Sequence, residues 1–270
     1  MRGQYSNRQI SPGSARWLIP FLFSLIILLP CAESFAHPED EFCTPGAESL
    51  DPELCAALAE MDRPDGELQQ FPVDVNRGVV ETGRLYVSIG VRHILPDGLD
   101  HILFVLAIFL ASVRWQALLL QVSAFTVAHT VTLGLAASGV ISPAAAIVEP
   151  LIALTIGFVA LENLYFKDMT RWRPAVVFAF GLIHGLGFAG FFGELGLPEG
   201  QFWSALIGFN IGVELGQLAV ILVAAVLGFL IRRLLGDPSG ARQYRRFVVL
   251  PGSLLIGITG FWWAFERAIL

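Results

Sequence analysis

Charge is scarce in this 270-residue chain: 17 basic and 23 acidic side chains make up 15% of positions, against roughly 25% in an ordinary soluble domain. So few charges, clustered rather than spread, cannot cover a soluble surface of this size. A water-soluble globule is excluded. The net charge of −6 leaves no basic patch for a nucleic-acid partner. No glycine-rich loop ends in Lys-Ser or Lys-Thr, so the chain carries no phosphate-cradling ATPase motor of its own. Cysteine and methionine number three each, and past residue 83 there is no cysteine and only Met169. That excludes a thiolate or thioether route for Cu(I). What is present is apolar: 55% of residues, a mean hydropathy of +0.66, and 27 glycines of the kind that close-packed membrane helices use. The composition is that of an all-α polytopic membrane protein in contact with a lipid bilayer.

Residues 1–36 read as a secretory signal peptide. Arg2, Arg8 and Arg16 form a basic region, Trp17 to Leu29 an apolar run too short to span, and Ser34-Phe35-Ala36 a small-x-small cleavage site. Cleavage there leaves Cys43 and Cys55 as an even pair in an oxidising compartment, for which a disulfide is the expected state. Residues 37–83 then form a short exported, periplasmic segment with twelve acids against Arg63 and Arg77. His37 becomes the mature N-terminus, where its α-amine and imidazole can chelate one metal ion as an accessory capture site.

From residue 84 to 270 a transmembrane domain of about six helices in one bundle is expected, with spans near 84–112, 116–138, 142–166, 173–195, 201–231 and 246–268. With the N-terminus outside, Arg114, Lys167, Arg171, Arg173, Arg232, Arg233, Arg242, Arg245 and Arg246 fall on the inner side. The outer loops 139–141 and 196–200 hold no Lys or Arg. This is the positive-inside pattern of a protein of the bacterial cytoplasmic membrane.

The residues that should not be in lipid carry the chemistry. A charged Asp, Glu or His at mid-membrane costs roughly 2.5–3.5 kcal/mol, so such groups turn inward and find partners. The first span holds His93, Asp97, Asp100 and His101, at steps that put them on one face of a continuous helix, although Pro96 and Gly98 threaten that continuity. The second span holds His129 with Thr126, the third Glu149 and the fourth His184. The fifth carries Asn210, Glu214 and Gln217 along one face, with Gly208, Gly212 and Gly216 on the opposite side. Counted at 1.5 Å per residue, His93, His129, Glu149, His184 and Glu214 lie about 10–20 Å from the outer edge, a common layer. Four imidazoles with several carboxylates form a ligand inventory for a divalent transition metal such as Ni(II), Co(II) or Zn(II). The expected metal site is His93, Asp97, Asp100, His101, His129, Glu149, His184 and Glu214. Asn210, Gln217 and Thr126 are accessory. Glu162, near the inner interface, is expected to be an anchor there or a partner of Arg171.

At these residues the sequence resembles the HupE/UreJ family of membrane proteins, in particular its signal-peptide-bearing group. The matching stretches are His93-Ile-Leu-Pro-Asp-Gly-Leu-Asp-His-Ile-Leu-Phe104, Phe125-Thr-Val-Ala-His-Thr-Val-Thr-Leu133, Val148-Glu149, Phe180-Gly-Leu-Ile-His-Gly-Leu-Gly-Phe-Ala189 and Phe209-Asn-Ile-Gly-Val-Glu-Leu-Gly-Gln-Leu218. The resemblance implies a secondary permease supplying nickel or cobalt, with the metal ion as substrate. The residues by themselves also fit an intramembrane zinc-dependent hydrolase, in which Zn(II) activates a water beside a carboxylate base. A metal-sensing or scaffolding subunit without transport is a third reading.

Overall fold

The first expected span, 84–112, is not one helix. In the computed structural model, which describes residues 78–111, 114–166, 170–187, 200–234 and 241–269, it divides into α1 (Val79–Ile94) and α2 (Leu99–Ala111), bent by 71°. The reason lies at Leu95-Pro96. A residue before proline is driven out of the helical region, and Leu95 is extended at φ −132°, ψ 115°. The tight turn then needs Gly98, where any Cβ would strike the carbonyl of His93. The expected signal peptide, the expected Cys43–Cys55 disulfide and His37 fall outside the described residues.

The remaining elements are α3 (Trp115–Ala137), α4 (Ala145–Tyr165), α5 (Arg173–Gly187), α6 (Phe202–Leu234), a short α7 (Ala241–Tyr244), a π-helical turn (Arg245–Val249) and α8 (Leu250–Ile269). No strand occurs among the described residues. The π turn closes with the Leu250 N–H on the Arg245 carbonyl, just before Pro251, which has no N–H to give. Helices α3, α4, α6 and the continuous stretch Arg242–Ile269 are each long and apolar enough to cross a membrane, with 23, 21, 33 and 28 residues. Taken together, the bent α1–α2 pair is also long and apolar enough to count as a fifth, broken span, and α5 is a shorter apolar helix of 15 residues. The count of about six therefore becomes four unbroken spans, one broken span and α5.

Small residues set the packing. Gly208 lies against Gly83, Gly212 against Gly90 and the Val87 carbonyl, and Gly216 against Ile94, so α1 and α6 pack backbone to backbone. Gly181 and Gly185 bring α5 onto the carbonyls of Phe125 and His129 in α3, while Gly157 and Gly260 join α4 to α8. Helix α2 sits among these pairs, with seven apolar side chains from Leu103 to Leu110 buried. A helix apolar on all sides belongs in such an interior.

The outward faces are apolar too. Val127, Leu154, Phe158, Val223, Phe229 and Phe265 are all exposed, as lipid contact requires. Trp115, Tyr165 and Trp172 stand exposed near one end of the bundle, and Trp203 and Trp262 toward the other, the aromatic girdles of a membrane interface. The first end is also the basic one. Arg232 lies over the Tyr244 ring at 4.2 Å, and Arg245 donates to the carbonyls of Asn163 and Phe166 at 3.1 Å each. The opposite end is tied by Ser204, which donates to the Val79 carbonyl at 2.6 Å, and by the Thr82–Gln201 hydrogen bond.

Candidate metal centre

The bend in the first span creates the centre. On a straight helix His93 and His101 would be two turns apart. The 71° turn instead folds α2 back so that their rings meet edge-on at 4.7 Å between centroids. The expected common helical face is thus replaced by a corner, and the same two histidines meet across it. His129 of α3 completes the group, at 6.3 Å from His93 and 5.9 Å from His101. One ligand nitrogen from each of these three imidazoles lies within 4.8 Å of the others. Among the described residues no other three His, Cys, Asp or Glu come together this closely. His184 of α5 adjoins the group, its ring 5.0 Å from that of His101. Phe104, Phe125 and Phe209 wall the site: Phe125 lies 5.1 Å from His184 and Phe209 5.4 Å from His93.

Neighbouring side chains decide which nitrogens carry lone pairs. Asn210 donates through its Nδ2 to the Leu206 carbonyl at 2.8 Å, which leaves its Oδ1, 3.2 Å from His129 Nδ1, as an acceptor. His129 therefore carries its proton on Nδ1. Its buried Nε2, with no hydrogen-bond partner, presents a bare lone pair. The same logic fixes His184. Thr155 spends its hydroxyl proton on the Ile152 carbonyl at 2.6 Å and accepts from His184 Nε2 at 2.9 Å. His184 Nδ1, buried and without a partner, holds the lone pair. His101 Nε2 is likewise buried without a partner. A buried polar atom without a partner is costly, and a cation is the species that would satisfy several such nitrogens at once. Metal–nitrogen bonds of about 2.1 Å put tetrahedral ligand nitrogens about 3.4 Å apart, so the three imidazoles must draw together by up to about 1.4 Å to coordinate.

The carboxylates take other places. Asp100 is held by Arg267 of α8, with Nη1 to Oδ2 at 2.9 Å and Nη2 to Oδ1 at 3.3 Å. Arg267 also lies over Trp263 at 5.2 Å. Asp97 is half-buried in the α1–α2 turn, and Glu149 is exposed in the first half of α4. Glu214 accepts from Ser123 at 3.0 Å, and Gln217 accepts from Thr126 at 3.2 Å. The close group is therefore all imidazole, where a mixed imidazole and carboxylate set was expected. Glu162 pairs with Arg173 at 3.2 Å instead of Arg171, because α5 carries Arg173 into the bundle while Arg171 stays exposed. Sequence reasoning missed Thr155, Arg267 and the buried Arg173. Their partners lie 29, 167 and 52 residues away, and no local spacing marks such pairs.

A lipid-facing helical bundle enclosing four imidazoles defines a polytopic membrane protein with an intramembrane histidine centre. The chain belongs to the HupE/UreJ protein family, which it matches over residues 70–267. No curated protein and no solved structure matches it.

Proposed function

We propose that the protein is a secondary permease for a divalent transition-metal cation, with nickel or cobalt as the preferred substrate, bound by His93, His101, His129 and His184. The observation that carries this reading is the convergence of three imidazole nitrogens within 4.8 Å inside a lipid-facing bundle. Imidazole nitrogens suit Ni(II) and Co(II) and leave alkali and alkaline-earth ions poorly bound. Membership of the HupE/UreJ family, associated with nickel and cobalt transport, supports the same substrate. In this reading the carboxylates of Asp97, Asp100, Glu149 and Glu214, which lie outside the close group, serve as approach or exchange sites.

The arginine-rich end faces the cytoplasm in this reading, and the mature N-terminus faces the periplasm. In this reading the ligands are neutral imidazoles, so the ion enters with its full double charge. An inward-negative membrane potential contributes about 2.3 kcal/mol per charge per 100 mV. The test is uptake of radiolabelled nickel into proteoliposomes held at an inside-negative potential. Wild type accumulates the ion, and His101→Ala and His129→Ala do not. Absence of uptake for every divalent ion tried would defeat the reading.

A further inference from the structure

Beyond the histidine centre lies a second buried polar layer, built by the same helices nearer the basic end. Its middle is Arg173, the first residue of α5, only 2% exposed. Its Nε donates to Gln121 Oε1 of α3 at 3.1 Å, its Nη1 to Asn163 Oδ1 of α4 at 3.0 Å, and its Nη2 to the Ala107 carbonyl of α2 at 3.5 Å. Glu162 Oε2 of α4 sits 3.2 Å from Nη1.

The surroundings hold these oxygens in place independently of the arginine. Asn163 Nδ2 donates to the Ala107 carbonyl at 2.8 Å and to Ser253 at 3.2 Å, so its Oδ1 must face inward. Gln121 Nε2 donates to the Ala117 carbonyl at 2.9 Å, which turns its Oε1 to the same point. Thr170 anchors the other oxygen of Glu162 at 2.7 Å. One carboxylate and three neutral oxygens, each oriented by a separate contact, thus surround a positive charge.

The layer is in line with the histidines. Ala107 follows His101 by six residues of α2, Gln121 precedes His129 by eight of α3, and Arg173 precedes His184 by eleven of α5. At 1.5 Å per residue these steps are about 9, 12 and 16 Å toward the basic end.

We propose that this oxygen cradle is a second divalent-cation site on the inner side of the histidine centre, and that Arg173 occupies it as a tethered cation. The inference rests on the permease reading for its role: the guanidinium closes the exit, and an ion leaving the imidazoles must displace it. Withdrawal of Arg173 exposes the Glu162 carboxylate with the oxygens of Asn163, Gln121 and Ala107, a donor set suited to a hard divalent ion. A fixed arginine is also a barrier to small cations while it stays in place.

The test uses Mn(II), which favours oxygen over imidazole, added to the purified full chain in detergent and read by loss of the free-ion electron paramagnetic resonance signal. Arg173→Gln binds one Mn(II) per chain more than wild type, and Glu162→Gln combined with Arg173→Gln loses it. Arg173→Lys keeps the charge and therefore the fold, but its single ammonium surrenders the fork, and Mn(II) displaces it more readily than it displaces the guanidinium. A folded Arg173→Gln with no additional Mn(II) overturns the proposal. If that variant does not fold, a folded Arg173→Lys without binding overturns it. Nickel binding is measured in the same wild-type preparation. Its absence would defeat the permease reading and leave the manganese comparison standing.

Discussion

At the scale of single residues, the site is governed less by the histidines than by the groups that hold their protons. His129 offers Nε2 because Asn210 accepts from Nδ1, and Asn210 can only accept because its amide nitrogen is committed to Leu206. Partners of this kind are worth about 10–100-fold in metal affinity. Asn210→Ala is accordingly expected to weaken nickel binding by about that factor in titration calorimetry, with the melting temperature little changed. Thr155→Val keeps the shape and removes the acceptor for His184 Nε2–H. It should release His184 to the other tautomer and weaken binding by about tenfold. A loss as large as that of His129→Ala would show that Thr155 does more than orient a ring. Arg173 is governed by a different balance. Removing one member of a buried ion pair costs about 3–5 kcal/mol because the other charge stays buried. Glu162→Ala should therefore lower thermal stability far more than Asp100→Ala, whose pair with Arg267 is about a fifth exposed, at 19% and 23%.

At the scale of elements, the working part is the corner between α1 and α2. Pro96 ends α1, and Gly98 lets the chain turn against the His93 carbonyl. Gly98→Ala should force that turn open and carry His101 away from His93. The expected result is at least a tenfold loss of nickel affinity with the helical content unchanged in circular dichroism. Helix contacts answer to the same rule of space. A Cβ at Gly212 would collide with the Val87 carbonyl, whereas one at Gly257 would meet Ala160 Cβ at an ordinary 3.6 Å. Gly212→Ala is expected to destabilise by about 1–3 kcal/mol through overpacking. Gly257→Ala should be neutral or stabilising by up to about 1 kcal/mol, since alanine is the better helix former. Thermal unfolding of the two variants in one detergent checks the pair. The break at Pro96 and the small-residue face of α6 were both legible in the sequence, because each depends on residues within a few turns of one helix. The closure of α1 and α2 around the break was not, because its angle is set by what α2 packs against.

At the scale of the whole molecule, the bundle separates an imidazole layer from a basic end, and for the proposed permease that arrangement has an electrical consequence. A dication crossing with no counter-ion gains about 4.6 kcal/mol at 100 mV, an equilibrium accumulation of more than a thousandfold. Nickel uptake into potassium-loaded proteoliposomes should rise when valinomycin sets an inside-negative potential, and collapse when the gradient is abolished. Uptake indifferent to potential but stopped by a proton ionophore would instead assign the coupling to proton exchange on the carboxylates.

Membrane placement, the order of the spans and the depth of polar side chains on unbroken helices follow from the sequence, because hydropathy and rise per residue are local and additive along a helix. Hence His93, His129 and His184 could be assigned to one layer by counting, whereas His101 joins them only through the bend between α1 and α2. Which groups in that layer touch was decided only by the tertiary structure. Depth says nothing of the direction in which a side chain points around its helix, and that direction is set by the packing of neighbours. Asp100 lies beside His101 in sequence yet pairs with Arg267, 167 residues later, and Arg173 stands in an apparent boundary motif yet is buried. In both cases a charge withdrawn from water takes the complementary group that packing sets beside it, and sequence distance has no part in that choice.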